Sequence, residues 1–286
     1  MFLDDAPIQK KENDLLNRSD FATKIGQAIL NINTENGLCI GLFGPWGSGK
    51  TSILHMILEE IDNETAHKET KPIVLFFNPW NFTTEEQIIH HFFYMLANVF
   101  ASSSEQKIKE IGGEVQRYAE IAEGINSWFK IAGVTTKIFN KIATEGNILD
   151  GKDLVKQRDI IIKRLSEQNQ KVIIVIDDID RLPNTEIRLI FQLISTVAKY
   201  PNTIFLLSFD REIVANALSE IQNCDGNYYL EKIVQIPIEI PEIREDSLNK
   251  ILFAKLDEIN NIYKFKFDQN HWQLVYRECL DGQLKT

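Results

Sequence analysis

The sequence predicts a three-layer α/β domain on a five-stranded, mainly parallel sheet, with one helical insertion. Three observations lead there. Short apolar runs recur along the chain between glycines, prolines and charged residues, as strands buried on both faces require. Stretches with helical spacing separate them, so the connections are crossovers and the strands run parallel. With 286 residues, 44% hydrophobic and 25% charged, the chain supplies the core of one large domain and needs no disulfides.

Residues 1–20 are polar, include Pro7, and are expected to cross the surface as an extended lead-in. A short helix over Phe21–Leu30 follows. Leu38-Cys39-Ile40-Gly41-Leu42-Phe43 reads as the first strand, and Ser52 to Ile61 as a helix. Ile73-Val74-Leu75-Phe76-Phe77 is the second strand, ended by Asn78-Pro79-Trp80, and Glu85 to Phe100 is a helix rich in apolar and aromatic residues. Residues 101–151 break this rhythm. Ser102-Ser103-Ser104 starts the break, Gly112-Gly113 interrupts it and Gly146 to Gly151 ends it, so the segment reads as an insertion into the α/β core. A charged helix over Asp153–Gln168 then leads to the third strand, Val172-Ile173-Ile174-Val175-Ile176. Ile204-Phe205-Leu206-Leu207 is the fourth strand and Ile233 to Ile238 the fifth.

Charge and composition exclude several classes. The formal net charge of −10 argues against a broad surface for nucleic-acid phosphates. Cys39, Cys224 and Cys279 are odd in number and share no metal-ligand spacing, so a reducing, cytoplasmic setting is expected. The N-terminus lacks the basic-then-apolar pattern of a signal peptide. No stretch reaches the roughly 18 apolar residues of a membrane span.

The strongest chemical signal is Gly44-Pro45-Trp46-Gly47-Ser48-Gly49-Lys50-Thr51, which matches G-x-x-x-x-G-K-[ST] between a buried strand and a helix. Such a loop turns successive backbone N–H groups toward phosphates, and the following helix adds the positive end of its dipole. Gly44 to Ser52 are therefore the expected nucleotide cradle, for ATP or GTP. Lys50 would neutralise β- and γ-phosphate charge, and the Thr51 hydroxyl would ligate magnesium. The second signal is the strand ending in Asp177-Asp178. A carboxylate at the end of a buried strand beside the P-loop strand suits the magnesium shell, which assigns Asp177. Asp178 is expected to orient and deprotonate the attacking water. Arg211, with Ser208 and Asp210 after the fourth strand, is a candidate for stabilising transition-state charge, as is Arg181; surface ion pairing competes for each. His90 and His91, as helix neighbours, diverge around the axis and read as structural.

These blocks resemble the KAP family of P-loop triphosphatases over nearly the whole chain. The resemblance is carried by Asp14-Leu15-Leu16-Asn17-Arg18 with Phe21, by the Pro45-Trp46 pair inside the P-loop, and by Phe77-Asn78-Pro79-Trp80. Asp177-Asp178-Ile179-Asp180-Arg181 and Tyr229-Leu230-Glu231-Lys232-Ile233-Val234-Gln235-Ile236-Pro237 complete it. It implies a sheet of the additional-strand type, with the fourth strand between the P-loop strand and the magnesium strand. It also implies kinship with STAND and AAA+ switches and, among bacterial members, with phage-exclusion proteins. On this basis the whole chain is expected to be one such domain. Its activity is expected to be magnesium-dependent ATP hydrolysis that drives a conformational switch in phage defence. A small-molecule kinase and a nucleotide-binding scaffold without turnover are the alternatives.

Two departures from the family pattern stand out. Many members place transmembrane helices between the two phosphate-site motifs. Here the best such stretch, Ile121 to Ala143, carries Glu123, Lys130, Lys137 and Lys141, and each central Lys costs roughly 2.5–3.5 kcal/mol. Ile121, Ile125, Trp128, Phe129, Ala132 and Phe139 instead share one helical face, suited to the domain's own surface, a protein partner or second copy, or a membrane surface. The other departure is at Leu284-Lys285-Thr286, where the family continues into a helical lid; the lid is expected to be missing.

Overall fold

The structure, a computed structural model, describes residues 6–68, 70–124, 151–197, 200–222, 225–243, 245–264 and 268–280. Helix α1 (Ser19–Asn31) leads into strand β1 (Leu38–Phe43) and helix α2 (Lys50–Thr65). Strand β2 (Ile73–Phe77) is followed by helices α3 (Glu85–Ala101), α4 (Gln106–Gly124) and α5 (Gly151–Ser166). Next come β3 (Val172–Ile176), α6 (Asn184–Val197), β4 (Thr203–Phe209), α7 (Arg211–Gln222), α8 (Gly226–Ile233) and β5 (Ile236–Glu239). Beyond the sheet lie α9 (Glu245–Tyr263), α10 (Gln269–Val275) and a π-helical turn over Tyr276–Leu280.

All five strands are parallel, in the order β2-β3-β4-β1-β5. The strand ending in Asp177 is therefore not beside the P-loop strand; β4 lies between them, as the family resemblance implies. Because every strand runs the same way, the carboxyl ends of β1, β3 and β4 meet along one edge.

Each strand must bury both faces, which explains the near-continuous apolar runs. In β3, Val172, Ile174 and Ile176 face a core built with α3, α4, α6, α7 and α8. Ile173 and Val175 face the opposite core, with Ala22, Ile25 and Ile29 of α1 and Ile53, Leu54 and Ile57 of α2. Two apolar layers thus clamp the sheet, burying β3 and β4 throughout and leaving the edge strand β5 half exposed.

Local differences from the sequence reading have physical causes. The lead-in crosses the surface strapped along α2, with a 3-10 turn at Lys11–Asn13. The Ile8 N–H donates to Ser52 Oγ (3.2 Å), the Lys11 N–H donates to Glu59 Oε2 (2.7 Å), and the Lys11 ammonium pairs with Glu60. That pairing holds the Glu60 carboxyl below its usual pKa. The fifth strand starts at Ile236; Leu230 and Ile233, three apart, face the core as the end of α8. Helical structure follows β5 within residues 245–280, tied to the body by Asn17 Nδ2 donating to Ser247 Oγ (3.2 Å).

Gly112-Gly113 does not interrupt the chain but lies inside α4. Ile108, Ile111, Val115 and Tyr118 of that helix are buried, with the Tyr118 ring 5.1 Å from that of Phe93 on α3. A Cβ on Gly112 would approach the Ala97 carbonyl to 2.8 Å and the Ala101 nitrogen to 3.0 Å, so glycine permits the close crossing of α3 and α4. Gln157 of α5 closes the layer by donating to the Glu114 carboxylate (2.6 Å). Of the apolar face read from Ile121 to Phe139, residues 125–150 lie outside the described residues. Among the described residues, no helix is long and apolar enough to cross a membrane.

The two glycines should respond oppositely to a methyl group. Gly112→Ala forces backbone against backbone and should cost about 1–3 kcal/mol. Gly113, with nothing within 4 Å of a built Cβ, faces open space. Gly113→Ala should therefore stabilise by about 0.4–1 kcal/mol through helix propensity and unfolded-chain entropy. Denaturant melts of the two variants measure the difference; equal shifts would contradict the close crossing.

Candidate nucleotide site

Between β1 and α2 the chain turns through residues 44–49. Gly47 (φ 78°) and Gly49 (φ 83°) adopt left-handed backbone that a side chain disfavours. A Cβ on Gly44 would fall 2.5 Å from Ser48 Oγ, so the loop doubles back closely on itself. The Ser48 N–H bonds to the Pro45 carbonyl (3.2 Å), and the first helical bond runs from Ile53 N–H to the Gly49 carbonyl (3.1 Å). The N–H groups of Lys50, Thr51 and Ser52, in the first turn of α2, consequently have no carbonyl within the helix. This is the geometry of an anion cradle.

The side chains at the loop divide into holders and reactive groups. Lys50, almost fully buried, donates through Nζ to the carbonyls of Gly44 (3.0 Å) and Pro45 (3.3 Å) and to Asp180 Oδ2 (3.3 Å). Thr51 Oγ1 donates to Asp177 Oδ2 at 2.7 Å, spanning from the P-loop helix to the end of β3. Ser52, whose N–H lies among the free donors of the cradle, offers its hydroxyl to the Ile8 N–H. The Trp46 ring is 81% exposed, and the Arg181 guanidinium sits 5.8 Å from its centroid.

Asp177 is buried at the sheet edge, only 1% exposed. Burial raises its pKa above the usual carboxylate value, against the lowering effect of the Thr51 hydroxyl and of Ser208. Ser208 is fully buried at the end of β4, close enough to Asp177 to exert that effect. Thr51 and Asp177 offer hard oxygen donors side by side. Magnesium binds in this way, through one or two protein oxygens plus substrate phosphates.

Asp178 is held differently. Its backbone is left-handed (φ 59°), and its N–H donates to Asp177 Oδ1 (2.9 Å). Its Oδ2 accepts from Asn78 Nδ2 at the end of β2 (2.8 Å), and its Oδ1 meets Arg181 Nε (2.8 Å). Both oxygens are engaged. Arg211, at the start of α7, lies 5.8 Å from the Phe43 ring centroid; its hydrogen bond runs to Asn227 Oδ1 (3.1 Å) and its ion pair to Glu231 (4.0 Å). The structure thus gathers Gly44 to Thr51, Asp177 and Asp178 by direct bonds, and points Arg211 toward α8. Asp210 caps α7, accepting from the Glu212 N–H (3.0 Å).

Three site residues carried no role in the sequence reading. Arg18 is buried, and its guanidinium donates to the Ser48 carbonyl in the loop and to the Pro241 carbonyl beyond β5. Burial lowers its pKa. Asn78 and Asp180 are the others. All three lie inside blocks that sequence recognises; residue type alone does not reveal which atoms they reach.

The model of the KAP family P-loop domain matches residues 18–286. The chain belongs to the KAP family. The phage T7 exclusion protein of Escherichia coli (strain K12) is 28% identical to this KAP domain over 260 residues, covering 83% of this chain and 34% of its own length. The domain therefore spans about a third of that relative. Solved structures that superpose on it include the Aeropyrum pernix ORC1 protein in complex with DNA, at 15% identity and a TM-score of 0.44. That match covers 86% of this chain and 50% of the other. The Aeropyrum pernix ORC2 protein in ADPNP–ADP complexes gives 12% identity and a TM-score of 0.45, covering 89% and 54%. At this level the sheet order and the phosphate loop carry the fold assignment.

The raised pKa of Asp177 has a measurable consequence. Its folded value lies above the unfolded one, so its favourable contribution is complete below the unfolded pKa and is lost as pH rises through the folded pKa. Near neutrality the ionised group weakens the ligand-free fold. Asp177→Asn should melt above the parent at about pH 8 without nucleotide or magnesium, and the gap should close toward about pH 4. An unchanged or lower melting point at the higher pH would refute this.

Proposed function

We propose that this KAP domain binds ATP with magnesium and hydrolyses it, using the nucleotide state as a conformational switch. One observation carries the reading: the 2.7 Å bond that brings the P-loop hydroxyl of Thr51 to the buried strand-end carboxylate of Asp177 across the intervening β4. A glycine turn with no ligand has no need to aim a hydroxyl at a desolvated acid.

On this reading the N–H groups of α2's first turn and of the loop face the phosphates. Lys50 leaves the Gly44 and Pro45 carbonyls and neutralises β- and γ-phosphate oxygens. Thr51 and Asp177 would hold magnesium, which when bound supplies Lewis-acid neutralisation of phosphate charge. Positioning and charge stabilisation then perform most of the catalysis. Arg181, on the rim beside Trp46, is better placed to meet developing charge than Arg211, whose partners lie on α8. The output of the switch is a protein contact, with a partner or a second copy. The name of the 28% identical relative supports a role in phage exclusion. GTP is the competing nucleotide, and a cytoplasmic site of action suits both the substrate and the buried free thiol of Cys39.

Lys50→Ala tests the reading. The change removes the main phosphate contact and leaves Asp180 without its partner, so each protein is referred to its own ligand-free melt. In matched thermal melts the parent should gain RT ln(1 + [L]/Kd), about 2.7 kcal/mol at a hundredfold excess of Mg·ATP over Kd, and the variant should gain none. A full ligand shift in Lys50→Ala would overturn the assignment. Light scattering with and without Mg·ATP reports whether the nucleotide state changes assembly.

A further inference from the structure

We propose that Asp180 is the carboxylate that takes the proton of the attacking water, and that ATP frees it by drawing Lys50 away. This rests on the hydrolytic reading of the site and goes beyond it in naming the group.

Asp180 reaches the phosphate loop because of the turn that follows β3. The left-handed backbone at Asp178 swings the chain out of the sheet (φ 59°). Ile179, fully buried, anchors the next residue, and the Arg181 N–H closes the turn on the Asp178 carbonyl (3.2 Å). Asp180 is thereby brought back over the loop, its side chain only 8% exposed. Its Oδ2 accepts from Lys50 Nζ at 3.3 Å, whereas its Oδ1 is buried with no hydrogen-bond partner. An unpartnered, buried carboxylate oxygen beside the lysine of a phosphate loop is costly to keep and calls for a role that repays it.

The two candidate acids differ in what nucleotide does to them. Asp178 is tied to Asn78 and Arg181 at 2.8 Å each, and neither partner belongs to the P-loop. Among the described residues, Asp180 is tied only to Lys50, the one cation in the loop that a triphosphate claims. Arrival of the γ-phosphate therefore competes directly for the partner of Asp180 and leaves its carboxylate free beside the reacting phosphorus. In the step, a water O–H bond breaks and its proton passes to Asp180. The water oxygen bonds to the γ-phosphorus. The bond from that phosphorus to the β,γ-bridging oxygen breaks, its electron pair leaving with ADP. Asp180 then returns the proton to phosphate or solvent, and the products are ADP and inorganic phosphate.

The test compares Asp180→Asn and Asp178→Asn with the parent in two measurements: equilibrium binding of Mg·ATPγS, and ADP formation from Mg·ATP in single turnover. Asp180→Asn should bind the analogue about tenfold more tightly, because Lys50 no longer has a competing carboxylate. It should form ADP about 10²–10⁴-fold more slowly, the usual loss of a general base. Asp178→Asn should slow ADP formation by clearly less than Asp180→Asn, because both Asp178 oxygens are already held by Asn78 and Arg181. Asp180→Ser replaces the Asn variant should that fail to fold. Weaker binding by Asp180→Asn, or turnover at the parent's rate, overturns the proposal while leaving the nucleotide reading intact. A parent that binds the analogue but never forms ADP also overturns it. A parent that binds no analogue removes the underlying ATP reading as well.

Discussion

A buried ammonium has to be neutralised whether or not a ligand is present. Lys50 stands at the head of α2, almost out of contact with water, and an isolated charge there would cost several kcal/mol. Without phosphate, its compensation comes from the Gly44 and Pro45 carbonyls and from Asp180. The loop carbonyls are local, but the carboxylate arrives from β3, which β4 separates from the P-loop strand. Because the sheet is parallel, the ends of β1 and β3 lie along one edge even though β4 separates the two strands. The architecture thus supplies in the empty site a charge that the nucleotide supplies in the filled one.

The segment before β1 tightens the same arrangement from outside. Asp14 accepts from the N–H groups of Arg18 and Ser19 and from the Ser19 hydroxyl, fixing the entry to α1. From that fixed point the Arg18 guanidinium reaches the Ser48 carbonyl in the loop and the Pro241 carbonyl after β5, while Asn17 reaches Ser247 in α9. A shift of the phosphate loop consequently pulls on the junction between the sheet and the C-terminal helices. The phosphate loop and α9 are thus both bonded to the same short segment, Asn17-Arg18.

How much of this was readable in sequence depended on range. The five strands follow from apolar runs that need both faces buried, and β1, β2 and β3 match residue for residue. The phosphate loop is encoded by glycines whose left-handed backbone is nearly obligatory, so Gly47 and Gly49 betray it. The end of α8 misled because an apolar residue at a helix terminus and one in a strand look alike, and Ile233 is both apolar and terminal. Gly112 misled because a glycine that admits a neighbouring helix has the same sequence signature as one that ends a helix. Asp180, Asn78 and Arg18 act at sequence separations of 130, 100 and 30 residues from their partners in the site, which no local pattern reports.

The distribution of polar groups left without partners bears on what the domain is built for. Among the described residues, eight buried side-chain polar atoms lack a hydrogen bond. Four of them, Arg18 Nε, Ser48 Oγ, Asp180 Oδ1 and Ser208 Oγ, surround the phosphate loop or the carboxylate beside it. Each such group costs roughly 1–3 kcal/mol when it stays unpaired. A sequence shaped for stability alone would have replaced or satisfied them, since apolar isosteres at these depths are nearly neutral. Their concentration at one edge, together with an Asp177 carboxylate that burial holds partly against ionisation, places the least satisfied part of the molecule where a highly charged ligand would relieve it. Ligand binding and folding then share the same interactions. A ligand that satisfies these groups would stabilise the fold by the mass-action shift that its affinity and concentration set.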